Sequence, residues 1–103
     1  MAPSGRPPRL SGKEYLVLDL LSGSGQLYGL QLVRQSGRRL KRGTVYVTLQ
    51  RMEQKGLVES ELERLAEPRP GLPRRLYRPT PAGRALLRAL DLAASHLAAE
   101  GIA

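Results

Sequence analysis

The chain contains no phenylalanine and no tryptophan, and four tyrosines are its only large aromatic residues among 103 positions. Aromatic side chains bury more apolar surface than other types, so a core without them needs many smaller aliphatic side chains. Leucine, valine and alanine build such a core most readily between closely packed helices. The sequence therefore predicts one mainly helical domain, with a core small enough for a second subunit to complete.

Basic residues outnumber acidic residues almost two to one. Seventeen Lys and Arg stand against nine Asp and Glu, which gives a formal net charge of +8. On so small a body this charge attracts polyanions, and nucleic acid is the usual polyanionic partner. Fourteen of the 17 cations are arginine, so the codon usage of a GC-rich genome is an alternative source of the charge. Composition alone leaves both interpretations open.

Residues suited to catalysis or metal binding are scarce. The chain has no cysteine, and its single histidine, His96, lies in an apolar stretch. No apolar run reaches the roughly 18 residues of a membrane span, and the N-terminus lacks the apolar segment of a signal peptide. The sequence thus predicts a cytoplasmic protein that is not an enzyme and that uses no cofactor or metal. His96 is expected to pack where two subunits meet.

Helix-capping residues divide the chain into three segments. Ser11, with Glu14 three residues later, is typical of a capping box at the start of a helix. Thr80 followed by Pro81 is typical of an N-cap and a first helical residue. Before Ser11 the chain is rich in proline and arginine and has no periodicity. The predicted segments are a flexible arm over residues 1–10, a folded unit over 11–79 and a long helix over 80–103.

The third of three predicted helices in the folded unit carries most of the information on function. Val45, Leu49 and Met52 recur at helical spacing on one stripe, and Gly56 ends the helix. The opposite face has almost no acid. Glutamine and arginine suit base edges, while valine and threonine suit the thymine methyl group. This face predicts contact with DNA bases, and a merely solvated polar face is the alternative.

A hairpin and a long helix follow the third helix. Residues 57–65 alternate polar and apolar at first, as a half-buried strand does, and 74–79 form the returning strand. The glutamates of the first strand would repel phosphate, so its outer face is expected to point away from DNA. Apolar residues recur at spacings of four, three and four along the last helix, which is typical of a helix that packs on another helix.

The order of three helices, a hairpin and a long helix is that of a winged helix-turn-helix. From residue 18 to residue 84 the chain also resembles the PadR family of bacterial regulators. Any one matching segment is weak, but five of them follow one another at the family's spacing. They are LDLL at 18–21, LYGLQL at 27–32, RGTVYVTLQRME at 42–53, GLVES at 56–60, and RRLY at 74–77 running into TPAGR at 80–84.

The resemblance implies a homodimeric, repressor-type regulator of transcription. Residues 11–79 would be its winged-helix DNA-binding domain and 80–103 its dimerisation helix. The third helix would enter the major groove of double-stranded DNA, and the wing would rest on phosphate or in the minor groove. Val47 and Gln26 stand where the family commonly has proline. Members that bind flat hydrophobic ligands use aromatic interface residues, so the lack of Phe and Trp makes a small-molecule effector doubtful.

The sequence predicts two groups of site residues, one that contacts DNA and one at the dimer interface. For Tyr46, packing against the wing is an alternative to a phosphate contact. A protein-interaction module, or a module that binds nucleic acid without sequence preference, is the alternative function. The residues expected to contact DNA are Tyr28, Lys41, Arg42, Thr44, Tyr46, Val47, Thr48, Gln50, Arg51, Arg69, Arg74 and Arg75. The residues expected at the dimer interface are Leu16, Leu20, Leu86, Leu90, Ala93 and Leu97.

Overall fold

The computed structural model describes residues 10–64, 70–71 and 73–99 of the chain. Within these ranges the predicted order of three helices, a hairpin and a long helix is confirmed. Leu10, the last residue of the predicted arm, is half-buried and packs against the core. The elements are α1 (Gly12–Ser24), β1 (Leu27–Tyr28), α2 (Gly29–Gln35), α3 (Val45–Gln54), β2 (Val58–Leu62), β3 (Arg75–Pro79) and α4 (Pro81–Ala99).

The sheet has three antiparallel strands in the order β1-β3-β2. Strands β2 and β3 form the predicted hairpin, in which Ser60 lies opposite Tyr77. The sequence analysis missed β1, whose Leu27 also lies opposite Tyr77 on the other side of β3. Two residues are too few to show an alternating pattern, so no local signal distinguishes this strand from the start of α2. Strand β1 anchors the wing, because an isolated hairpin is only marginally stable in water.

Aliphatic side chains build the core, as the composition predicts. The stripe predicted for the third helix is confirmed, since Val45, Leu49 and Met52 of α3 are fully buried. They share one hydrophobic cluster with Leu18 of α1, and Tyr77 is the one aromatic member of that cluster among the described residues. The rear face of α3 is therefore fixed in the core, and its opposite face is left to solvent.

Glu14 connects the start of α1 to the end of α3. The predicted capping box is confirmed, because the Glu14 backbone N donates to Ser11 Oγ at 3.1 Å and the Ser11 backbone N donates to Glu14 Oε1 at 2.9 Å. Lys55 Nζ donates to both carboxylate oxygens of Glu14, at 2.8 and 3.1 Å. Burial raises the pKa of Glu14, but the hydrogen bonds from Lys55 and Ser11 lower it more, so the net pKa lies below its usual value.

Replacing Glu14 with glutamine should cost about 1–2 kcal/mol of folding free energy at pH 7, because the amide keeps the cap and the size but loses the charge-assisted bonds to Lys55. Since the folded-state pKa is lowered, this stabilisation is present above the ordinary carboxyl pKa of 4.5 and is lost as the pH falls through the folded-state value. Urea unfolding between pH 7 and pH 3 measures the free energy of unfolding of wild type and variant. The difference between the two should disappear near pH 3.

Asp19→Asn is the matched control for this experiment, since Asp19 is an exposed carboxylate on the same helix. Its effect on the free energy of unfolding should stay within about 0.5 kcal/mol at pH 7. If the free energies of unfolding of wild type and Glu14→Gln differ by the same amount at every pH, the ion pair with Lys55 adds nothing to stability.

The first turn of α4 packs directly on the corner between α3 and β2. Gly56 ends α3 in the left-handed conformation with φ of 75°, as the sequence predicts. The predicted cap of α4 is confirmed, because the Gly83 backbone N donates to Thr80 Oγ1 at 3.0 Å, while Thr80 Oγ1 donates to the Gly56 carbonyl at 2.6 Å. A Cβ atom on Gly83 would lie 2.1 Å from the Leu57 carbonyl oxygen. Glycine is therefore required at this crossing.

Candidate nucleic-acid interface

The outer face of α3 presents short polar side chains and one exposed apolar side chain. Val47 is 49 % exposed at the middle of this face. Gln50 and Arg51 are exposed beside it, and so is Thr44 at the start of the helix. Thr48 is half-buried, and its hydroxyl donates to the Thr44 carbonyl at 3.2 Å. The structure thus brings together all the residues that the sequence analysis selected on this helix for contact with bases.

Tyr46 packs against the first residue of α2 while staying 49 % exposed. A Cβ atom on Gly29 would lie 2.6 Å from Cε1 of the Tyr46 ring, so the ring lies on the bare backbone of that glycine. Tyr46 also lines the groove that separates α2 from the wing. The sequence analysis gave Gly29 only as part of the segment LYGLQL at 27–32. A glycine directly after a tyrosine at a helix start was the available signal for this close approach.

The base of the wing is fixed to β1 by a small polar cluster. Tyr28 donates its hydroxyl hydrogen to Glu63 Oε2 at 3.2 Å, and the Arg74 backbone N donates to Glu63 Oε1 at 3.1 Å. The Arg74 guanidinium lies 4.7 Å from the centre of the Tyr28 ring, which is a cation–π distance. Tyr28, selected as a phosphate donor, thus orients Arg74. Arg69 lies outside the described residues.

Arg75 and Arg78 of strand β3 lie on opposite faces of the hairpin. Arg75 is exposed, and its guanidinium donates to Ser60 Oγ at 3.2 Å. On the other face Arg78 forms ion pairs with Glu59 at 2.8 Å and with Glu61 at 2.9 Å. Two of the three glutamates that the sequence analysis expected to repel phosphate are therefore matched by a cation on their own face of the sheet.

Most carboxylates of the described residues have partners, whereas many of the cations have no acidic partner. The carboxylates of Glu14, Glu59 and Glu61 form ion pairs, while Glu53 and Glu63 accept hydrogen bonds from hydroxyl groups. Several cations around α3 have no acidic side chain within ion-pair distance in the described part of the chain. These cations are Arg34, Arg38, Lys41, Arg42, Arg51, Arg74 and Arg75.

A groove of about 440 Å³ runs between the start of α2 and the wing. Its walls combine two tyrosines with three arginines, which are Arg34 of α2, Arg74 just before β3 and Arg75 at the start of β3. The sequence analysis did not select Arg34. A groove with a cationic rim beside a helix whose outer face is exposed has the shape and charge to accept a phosphodiester strand. The polar and aromatic lining residues are Tyr28, Gln31, Arg34, Tyr46, Arg74 and Arg75.

The residues predicted for a dimer interface differ in how far they are buried within this chain. Leu16, Leu20 and Leu86 are half-buried and pack partly against the core. Leu90 is 38 % exposed and Leu97 is 47 % exposed, and Ala93 between them is exposed. On a helix these three positions share one face. Leu87, which the sequence analysis did not select, is the buried hydrophobic side chain of α4 among the described residues, at 6 % exposure.

Two other features are absent from the described residues. No group of three or more His, Asp or Glu side chains is placed to hold a metal ion within the ranges that the structure describes. No helix in those ranges has the length and apolar character needed to cross a membrane. His96 is exposed near the end of α4, on the part of the helix that follows Leu90.

Three helices, the third with an outer face that is exposed and carries no acid, and a hairpin wing define the winged helix-turn-helix class. The model of the transcriptional regulator PadR-like family matches residues 17–89. The chain belongs to the PadR-like family of transcriptional regulators. It is 44 % identical over 70 residues to a transcriptional regulator of Mycobacterium tuberculosis, an alignment that covers 68 % of this chain and 62 % of that relative. The chain thus spans about three fifths of that relative's length.

Solved structures of PadR family regulators share the fold. The regulator of Clostridium difficile R20291 has a TM-score of 0.72 at 27 % identity, covering 84 % of this chain and 91 % of that one. The regulator of Eggerthella lenta has a TM-score of 0.66 at 30 % identity, covering 86 % and 76 %. These proteins are described as transcription regulators rather than enzymes, which agrees with the non-enzymatic class expected from the sequence.

Proposed function

We propose that the protein is a sequence-specific regulator of transcription that binds double-stranded DNA as a homodimer and acts as a repressor. One observation carries the DNA-binding proposal: the outer face of α3 carries no acid and is flanked by arginines that lack acidic partners. Cations in this position are available to neutralise phosphates, which supplies most of the sequence-independent affinity of a protein for DNA. The α3 side chains Thr44, Val47 and Arg51 would contact bases, and the wing arginines would contact phosphate.

The dimer proposal is supported by the exposed apolar face of α4. Leu90, Ala93 and Leu97 extend this face beyond the part of the helix that packs on the core. A second copy of α4 related by a two-fold axis would cover these side chains. It would also place two α3 helices toward half-sites about 34 Å apart, one turn of DNA. The repressor proposal is supported by family membership alone, and the cytoplasm is the compartment that such a regulator requires.

The DNA-binding proposal is tested by fluorescence anisotropy with the DNA upstream of the protein's own gene and a scrambled duplex of equal composition. Wild type is expected to prefer the native duplex by about 10³-fold or more. Thr44→Ala and Arg51→Ala should each weaken binding to the native duplex by about tenfold, and should alter binding to the scrambled duplex much less. Thermal melts check that both variants remain folded.

Arg88→Ala is the matched control, because Arg88 is an exposed cation on the side of α4 opposite to Leu90. It should bind both duplexes nearly as wild type does. If wild type binds both duplexes equally and with a steep salt dependence, the protein instead binds DNA without sequence preference. If wild type binds neither duplex at low salt, the protein-interaction module replaces the DNA-binding proposal.

A further inference from the structure

A second groove adjoins the first one along α2. Its volume is about 470 Å³, and it is formed by α2 together with the loop that leads to α3. Leu30, Val33 and Leu40 provide its apolar floor. Four cations surround this floor, and none of them has an acidic side chain within ion-pair distance among the described residues. These cations are Arg34, Arg38, Lys41 and Arg42.

Hydrogen bonds hold the loop between α2 and α3 in one conformation. Ser36 is 3 % exposed, and its hydroxyl donates to the Val33 carbonyl at 2.8 Å while accepting the Leu40 backbone N–H at 3.0 Å. The Arg38 backbone N also donates to the Val33 carbonyl, at 3.1 Å. The backbone that carries the loop cations is therefore fixed before any partner binds, which lowers the entropy lost on binding.

Arg38 adopts a backbone conformation that favours glycine. Its φ is 65°, and it is the one non-glycine residue with positive φ among the described residues. Glycine would take this conformation without the steric cost that a Cβ atom brings. The Arg38 side chain makes no hydrogen bond or ion pair within the described part of the chain that would offset the cost. The conformational cost of arginine at this position is explained if its charged side chain binds a partner.

The two grooves meet at α2. Leu30 and Arg34 line both of them, so the cations of the wing continue without a break into those of the loop. The carbonyl of Lys41, on the rim of the second groove, accepts the backbone N–H of Val45 at 2.9 Å in the first turn of α3. The second groove therefore lies directly beside the start of the helix proposed to read bases.

We propose that the second groove binds the sugar–phosphate backbone of DNA flanking the bases read by α3, with Arg34 and Arg38 as phosphate contacts. This inference rests on the proposed DNA-binding function. A cationic rim around an apolar floor matches a strand that alternates phosphate with deoxyribose, whose carbon atoms are apolar. One strand would follow the wing groove, pass Arg34 and continue past Arg38. Each of these two arginines would then neutralise one phosphate.

The test measures the salt dependence of binding to the native duplex for wild type, Arg34→Ala, Arg38→Gly and Arg38→Gln. The slope of log K against log salt concentration is negative for a protein that binds phosphates. Each substitution should reduce its magnitude by about one, and the Arg34→Ala/Arg38→Gly double variant should reduce it by about two. Affinity at 50 mM salt should fall about five- to tenfold per substitution, and this difference should shrink about threefold by 200 mM. Arg38→Gly should melt at or above the wild-type temperature, since it relieves the positive φ.

Arg88→Ala again serves as the control cation and should leave the slope unchanged. If wild type binds DNA and the Arg34 and Arg38 variants match Arg88→Ala, the inference fails while the proposed function stands. If wild type binds no duplex at low salt, the proposed function itself fails. An Arg38→Gly variant that melts below wild type would show that Arg38 is a structural residue and would overturn its role as a phosphate contact.

Discussion

Replacing Gly83 with alanine is expected to lower the free energy of unfolding by about 3 kcal/mol, which corresponds to a fall of roughly 12–24 °C in melting temperature for a domain of this size. The added Cβ atom would stand 2.1 Å from the Leu57 carbonyl oxygen and 3.2 Å from Cδ2 of Leu18. The nearest obstacle is backbone, which no change of rotamer can remove. The first turn of α4 must therefore move away from the corner between α3 and β2.

That movement would also break the hydrogen bonds that join the two elements. The Thr80 backbone N donates to the Leu57 carbonyl at 3.1 Å, and Thr80 Oγ1 donates to the Gly56 carbonyl at 2.6 Å. Both bonds depend on the close approach that Gly83 allows. Their loss would leave polar backbone groups without partners at a partly buried position, which adds to the steric cost.

Gly23→Ala is the matched control, since Gly23 is also helical and no atom would lie within 4 Å of its added Cβ. This substitution should be neutral or should stabilise the protein by about 0.5–1 kcal/mol, because alanine favours the helix. Thermal denaturation followed by circular dichroism measures both variants. If Gly83→Ala melts within a few degrees of wild type, the close crossing of α4 over Leu57 is not present in solution.

Replacing Leu90 with arginine should separate the proposed dimer and reduce affinity for a two-half-site operator by about 10²–10⁴-fold. Two linked binding modules gain affinity of that order, because the second contact becomes intramolecular. A buried arginine at the interface would lack an acidic partner and would be costly to desolvate. Since Leu90 is 38 % exposed within the single chain, the fold of each subunit should persist. Analytical ultracentrifugation and anisotropy measure the two effects.

Leu92→Arg provides the matched control on the same helix. Leu92 is 72 % exposed, and helical geometry places it on the side of α4 opposite to Leu90. This variant should sediment as wild type and bind the operator as wild type. A wild-type protein that sediments as a monomer would end the dimer proposal. Equal effects of the two substitutions would show that the face of Leu90 is not the interface.

Much of the fold could be predicted because its signals lie close together in the chain. The capping box of Ser11 and Glu14 acts over three residues, and the N-cap at Thr80 acts over a similar distance. The buried stripe of α3 follows from helical spacing alone. The face opposite that stripe is then exposed by geometry, which is why the base-reading candidates could be selected before the structure was known.

The polar contacts that organise the candidate site could not be predicted, because they join residues far apart in sequence. Lys55 and Glu14 are 41 residues apart, and Tyr28 and Glu63 are 35 apart. Each partner alone is an ordinary polar residue, and no local pattern indicates which pairs will meet. Arg34 was overlooked for the same reason, since one arginine in the last turn of a short helix has no distinguishing local signal.

The sequence by itself determined the helical class, the capped starts of α1 and α4, the end of α3 and the polar face of α3, because these depend on local propensity and periodicity. Only the tertiary structure decided that Leu27 and Tyr28 form a third strand, since strand pairing depends on β3 some 50 residues later. It also decided the crossing at Gly83 and the meeting of two cationic grooves at Arg34. Those features arise from packing between distant segments, where shape and charge act only after the chain has folded.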